Sequence, residues 1–248
     1  VRTFIVSLLL FCSQTLSAQP VMVAVAANMK EAFTEIAALY KTNNPSDFRV
    51  VYGSSGNFTA QIMNGAPFKL FISADEHFPM ELYKQGKAMN EGSVYAIGKL
   101  AFIAKKSLNA SSIKNNADLA KLISKANKIA IAKPDLAPYG KAAIEYLKAE
   151  GLWDLAKDKL IYGDNIGVAT MYVVSGAADV GFTALSLASS TEVAKESSYI
   201  VLDSKQYQPI AQRMILMKGA PKEAIDLYQF MQGSQAKGIL QKFGYTTP

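Results

Sequence analysis

The sequence predicts an α/β protein of two lobes, each a doubly wound sheet flanked by helices. Three observations carry this. Short apolar runs alternate with segments of helical period, the pattern of parallel strands joined by crossover helices. The alternation falls into two clusters, one before Gly98 and one after Ile129. A last segment of the same kind returns after about Gln206. The first lobe is therefore expected to be built from both chain ends, residues 19–99 with 206–248, and the second from residues 100–205. Two hinge strands are expected to join them, near Lys99-Leu100 and near Ile210-Ala211.

Residues 1–18 are expected to be a secretory signal rather than fold. Arg2 precedes an apolar run from Phe4 to Cys12, and Ser13 to Ala18 turns small and polar, with cleavage expected after Ala18. The apolar run is too short to span a bilayer. Phe11 stands where a lipid-anchored chain has a small residue before its cysteine, so an anchor at Cys12 is not expected.

Met22 to Ala27 is a continuous apolar strand of the buried, parallel type. Asn28-Met29-Lys30-Glu31 reads as a capping box opening a helix, with Phe33, Ile36 and Tyr40 on its apolar face. The next strand, Phe48 to Tyr52, runs into Gly53-Ser54-Ser55-Gly56 and a helix bearing Phe58 and Ile62. Leu70 to Ala74 is a third strand, and Asp75 opens a helix running to Gly86. Ala101 to Ala104 is another strand, followed by a helix around Asp118 to Ser124. Ile129 to Ala132 is followed by Lys133 to Gly140 and a helix that Gly151 stops. Helical spacing resumes from Ile166 to Ser175, strands are expected at Asp179–Thr183 and Ile210–Met217, and two helices finish the chain, Lys222–Met231 and Ser234–Phe243.

Composition narrows the chemistry. Half the 248 residues are hydrophobic and 19% are charged, which leaves ample material for a core. Loss of Arg2 with the signal leaves 25 basic against 20 acidic residues, a net charge of +5. The lysines are scattered, which argues against nucleic acid as a partner. The single cysteine leaves with the signal, so no thiol nucleophile, disulfide framework or cysteine metal site is expected in the mature chain. His77 is the only histidine, on an expected exposed helix turn, and Ser73 is too close to it in sequence for the usual triad geometry. Catalysis is not expected, and no cofactor is implied.

Ligands of open α/β sheets bind beyond the carboxyl ends of strands. Four loops here sit at such ends, carrying Asn28, Ser54-Ser55-Gly56, Ala74-Asp75 and Ala137-Pro138-Tyr139, and Asn165-Ile166 opens a further helix. Helix starts present unpaired N–H groups and the positive end of the dipole, which suits an anion. The hydroxyls of Ser54, Ser55 and Tyr139 and the amide of Asn28 add neutral donors, while Gly53 and Gly56 let backbone approach a ligand closely.

These stretches resemble a known family. Ala26-Ala27-Asn28-Met29, Gly53-Ser54-Ser55-Gly56, Asn64-Gly65-Ala66-Pro67 running into Phe71-Ile72-Ser73-Ala74-Asp75, Pro134 to Gly140, and Gln241 to Thr246 are similar to the periplasmic molybdate-binding proteins of ABC transporters. The resemblance spans nearly the whole mature chain. It implies a periplasmic-binding-protein clamshell that closes on one tetrahedral dianion, molybdate or tungstate, and delivers it to a membrane permease. It implies a periplasmic, monomeric protein. It implies donors at Asn28, Ser55, Ala74, Tyr139 and Ile166, which hold the anion through its oxygens with no direct metal ligand.

The tyrosine that one group of the family carries after the strand near Val180 is missing from Gly181-Phe182-Thr183-Ala184-Leu185, so the hydroxyl is assigned to Tyr139. Phe68-Lys69 stands where the family has Ala-Asp, and Lys69 is read as solvated. A binding protein for sulfate, phosphate or an organic anion, or a sensor-type receptor, is the alternative. A fully deprotonated oxyanion accepts only, so a pocket of neutral donors favours molybdate or tungstate over a protonated phosphate. Sulfate differs from molybdate in size, which sequence does not set.

Overall fold

A computed structural model describes residues 20–44 and 47–248. The expected signal lies outside the described residues. The ten strands among them are β1 (Val21–Ala26), β2 (Phe48–Gly53), β3 (Phe68–Ile72), β4 (Ser93–Gly98), β5 (Leu100–Lys105), β6 (Ile129–Ala132), β7 (Leu160–Gly163), β8 (Val180–Ala184), β9 (Ser197–Val201) and β10 (Ile210–Leu216). The helices are α1 (Lys30–Asn43), α2 (Ser55–Met63), α3 (His77–Lys84), α4 (Asn116–Lys125), α5 (Pro138–Ala149), α6 (Trp153–Ala156), α7 (Ile166–Val174), α8 (Leu185–Ala188), α9 (Thr191–Glu196), α10 (Lys222–Gln232) and α11 (Ser234–Lys242).

They build two five-stranded sheets, ordered β2-β1-β3-β10-β4 and β7-β6-β8-β5-β9. In the first, β1 is parallel to β2 and β3, while β10 is antiparallel to β3 and β4. In the second, β6 is parallel to β7 and β8, and β5 is antiparallel to β8 and β9. The chain crosses between the sheets at Lys99 and again between β9 and β10. Tyr207 Oη, on the second crossing, accepts from the Leu100 N–H on the first at 3.0 Å, tying the two together.

Alternation along the strands divides the first core into two layers. Val23 and Val25 of β1, with Leu70 and Ile72 of β3, pack under Phe33, Ile36, Leu227 and Leu240. Ala24 and Phe71 face the other way, against Phe58, Ile62 and Leu82. Phe68, at one position of the family departure, is buried here with its ring edge-on to Phe58, 5.3 Å between centroids. The second lobe packs around Phe102, Ile131, Leu147 and Phe182. Ala26, Ala27 and Ala74 of the first lobe join this same cluster, so the lobes meet at the ends of β1 and β3.

One local expectation is corrected. Asn28 does not cap α1: a single 3-10 turn over Ala27–Met29 precedes the helix, and no side chain caps either one. The turn carries Asn28 inward, where it is fully buried.

Candidate functional site

The expected site residues converge on one small cavity between the lobes. Asn28, Ser55 and Ala74 line it from the first lobe, and Tyr139 and Ile166 from the second. Ser54, Asn165 and the backbone around Ala27, Gly53 and Ala137 complete the wall, and every lining residue is uncharged.

Each donor has a definable state. Ser55 Oγ accepts the Ala74 N–H at 3.0 Å, so the serine keeps its hydrogen to give. Ala74 therefore acts on the cavity through Ser55. Tyr139 Oη accepts from Gln212 Nε2 at 3.1 Å and likewise keeps a hydrogen. Burial pushes the Tyr139 hydroxyl well above the ordinary tyrosine range, so it stays neutral. Asn165 caps α7 by accepting the Val168 N–H at 3.0 Å, and the Ile166 N–H in the first turn has no helix carbonyl behind it.

Asn28 differs from the expectation. Its Nδ2 donates to Gln212 Oε1 and Tyr245 Oη, both at 2.9 Å, so its side-chain hydrogens point into the protein. Its main-chain N–H, in the opening turn, remains a donor of the helix-start kind. Among the described residues, two buried side-chain polar atoms lack a partner, Asn28 Oδ1 and Ser54 Oγ, and both belong to lining residues. Orphaned buried polar atoms are uncommon; the Ser54 hydroxyl has a hydrogen that an acceptor in the cavity would take, whereas Asn28 Oδ1, itself an acceptor, is not met by an oxyanion.

Charges stand beside the cavity, not in it. Lys133 Nζ pairs with Asp164 at 2.5 Å on the surface. Asp75 accepts from Ser73 Oγ at 3.0 Å and from the Phe78 N–H at 3.3 Å, and burial raises its carboxyl above the usual range. Lys69 and His77 are absent from the cavity wall, though His77 lines a larger cleft nearby with Asp135 and Lys141. No group of three or more metal-ligating residues occurs among the described residues.

The lobes touch directly around the cavity. The Gly56 N–H donates to the Leu136 carbonyl at 2.9 Å, and Ser186 Oγ donates to the Asn28 carbonyl at 2.8 Å. A Cβ on Gly56 would sit 2.9 Å from Leu136 Cα. This glycine makes room for the opposite lobe, whereas the sequence reading gave the space to the ligand.

Sequence reasoning missed Gln212, Tyr245 and Ser186, which tie the cavity residues together. Gln212 sits next to Arg213 in β10, and a polar pair in a strand reads as solvent-facing. Tyr245 lies in the closing segment, which carried the resemblance but no assigned role.

Two hinged α/β halves with an uncharged donor cavity between them define a solute-binding protein. A family model described as bacterial extracellular solute-binding protein matches residues 21–246, and the chain belongs to that family. It is 36% identical to the molybdate-binding protein ModA of Rhodobacter capsulatus, over 93% of this chain and 90% of the relative. It is 34% identical to ModA of Azotobacter vinelandii, over 92% and 90%. The solved Azotobacter vinelandii periplasmic molybdate-binding protein superposes with a TM-score of 0.83 at 30% identity, covering 92% of this chain and 99% of that one. These relatives are binding proteins rather than enzymes.

Proposed function

We propose that the protein captures molybdate or tungstate in the periplasm and delivers it, as a monomer, to the permease of an ABC transporter. The observation that carries this reading is the cavity itself: five expected donor positions from two lobes meet around a space with no charged side chain. The ligand contributes the whole negative charge, and the protein contributes hydrogens: Ser55 Oγ–H, Tyr139 Oη–H, and the main-chain N–H groups of Asn28 and Ile166. The Ala74 N–H polarises Ser55 from behind, since hydrogen bonds in series strengthen one another.

A dianion satisfies this set because it accepts at every oxygen. Contacts from both halves favour the shut arrangement, which the permease then recognises. The relatives named for molybdate support the choice of ion.

The test is calorimetry with molybdate, tungstate, sulfate and phosphate. Molybdate and tungstate are expected to bind at least about a hundredfold more tightly than phosphate, a difference of roughly 2.7 kcal/mol. Tight binding of phosphate or sulfate alone would replace this reading with the alternative oxyanion.

A further inference from the structure

We propose that Gln212 is the positioning residue of the site: it holds the Tyr139 hydroxyl as an acceptor, so that the tyrosine hydrogen is directed to the ligand. The inference rests on the oxyanion reading above.

Gln212 lies on β10, two residues after the chain re-enters the first sheet, and it is fully buried. Its amide has two ends with separate tasks. Oε1 faces Asn28 Nδ2 at 2.9 Å and Tyr95 Oη at 2.8 Å, which occupies both of its lone pairs. Set against the Asn28 NH2, this end of the Gln212 amide is the oxygen. Nε2 is thereby left to face Tyr139 at 3.1 Å, across the gap between the lobes. A hydroxyl that accepts from an amide N–H has its hydrogen free for another acceptor, and for Tyr139 the anion competes with the neighbouring Tyr245 hydroxyl. Without Gln212, the Tyr139 hydrogen can turn inward and the oxygen face the anion, which repels it.

The tyrosine is held from a second side. Its hydroxyl sits over Gly98, at the other hinge crossing, where a Cβ would come within 2.1 Å of it. Gly98 pairs with Ile210 and Ala96 with Gln212 across the same ladder. Both hinge strands thus grip one side chain of the opposite lobe, and that grip exists only when the lobes are together.

The experiment is a double-mutant cycle of Gln212→Met and Tyr139→Phe, read by calorimetry with molybdate. Gln212→Met is expected to weaken binding about tenfold when Tyr139 is present and less than about twofold in Tyr139→Phe, because the hydroxyl it orients is then gone. Equal fold losses in both backgrounds would overturn the proposal, since a purely structural role costs the same with or without the hydroxyl. Should Gln212→Met not fold, the isosteric Gln212→Glu serves. Its carboxylate can only accept, takes the Tyr139 hydrogen for itself, and is expected to weaken binding more than a hundredfold; wild-type affinity would overturn the proposal. A wild-type protein that binds none of the four oxyanions would remove the oxyanion reading, and this inference with it. Additivity in a wild type that binds would remove this inference alone.

Discussion

Two hydroxyls in the cavity are set up by what their oxygens already accept. Ser55 takes the Ala74 N–H and Tyr139 the Gln212 amide, so in each case the hydroxyl hydrogen is left to donate. Ser55→Ala and Tyr139→Phe should each weaken molybdate binding by about 1–3 kcal/mol, the range for removing one partner of a buried hydrogen bond. Calorimetry checks this, and unchanged affinity in both variants would remove them from the site. Ser54 makes a sharper case, because its buried hydroxyl has no partner within the protein. An unmet polar group costs about 1–3 kcal/mol. Ser54→Ala is therefore expected to raise the melting temperature of the ligand-free protein while weakening molybdate binding. A fall in ligand-free stability would show that the hydroxyl has a structural partner instead.

At the scale of elements, the site is a meeting of helix starts. The turn before α1, and the first turns of α2, α5 and α7, bring Asn28, Ser55, Tyr139 and Ile166 together. A backbone hydrogen bond joins the lobes at α2, where the Gly56 N–H meets the Leu136 carbonyl. Gly56→Ala would put a methyl 2.9 Å from both Phe78 Cζ of its own lobe and Leu136 Cα of the opposite one; the ring can shift, whereas the Leu136 backbone can move only with its lobe. The expected outcome is a folded protein whose molybdate affinity falls about tenfold or more, because shutting is obstructed while each lobe keeps its core. Comparing calorimetry with thermal melting separates the two; intact affinity would mean that this contact plays no part in closure.

The same scale shows what sequence could reveal. Strands β1, β3, β6 and β8 run through sheet interiors and announce themselves by apolar runs, unbroken in β1 and β6 and interrupted only by Lys69 in β3 and Thr183 in β8. β4, β7 and β9 did not. All three are edge strands, their residues only partly covered, so Ser93 to Gly98, Leu160 to Gly163 and Ser197 to Val201 carry a diluted apolar signal. The cavity residues were legible for a related reason. They stand in loops just past buried strands, where Ser54-Ser55 and Ala137-Pro138-Tyr139 have no packing duty in a sheet. Gln212 was not legible, since its role depends on Asn28 and Tyr139, 184 and 73 residues away.

Across the whole molecule, the hinge and the site share one buried tyrosine network. Burial raises Tyr95 and Tyr139 well above the ordinary value of 10.0, and Tyr245 to about 12. In the unfolded chain these hydroxyls lose their protons near pH 10, whereas the folded protein holds them. Their contribution to stability is thus complete below pH 10 and is lost as pH rises through about 12. Melting temperature is expected to change little from these groups between pH 7 and 9 and to drop steeply between about pH 10 and 12. Absorbance showing all tyrosines ionising near pH 10 while the fold persists would contradict the burial argument.

The central claim is that neutral hydrogens from two lobes cage the ion. Crystals of the protein grown with molybdate, measured at the molybdenum absorption edge, test it most directly. The anomalous peak should lie in the cavity, with oxygens in hydrogen-bond reach of Ser55 Oγ, Tyr139 Oη and the Ile166 N–H. A peak held instead by lysine or arginine side chains, or one outside the space between the lobes, would contradict the account.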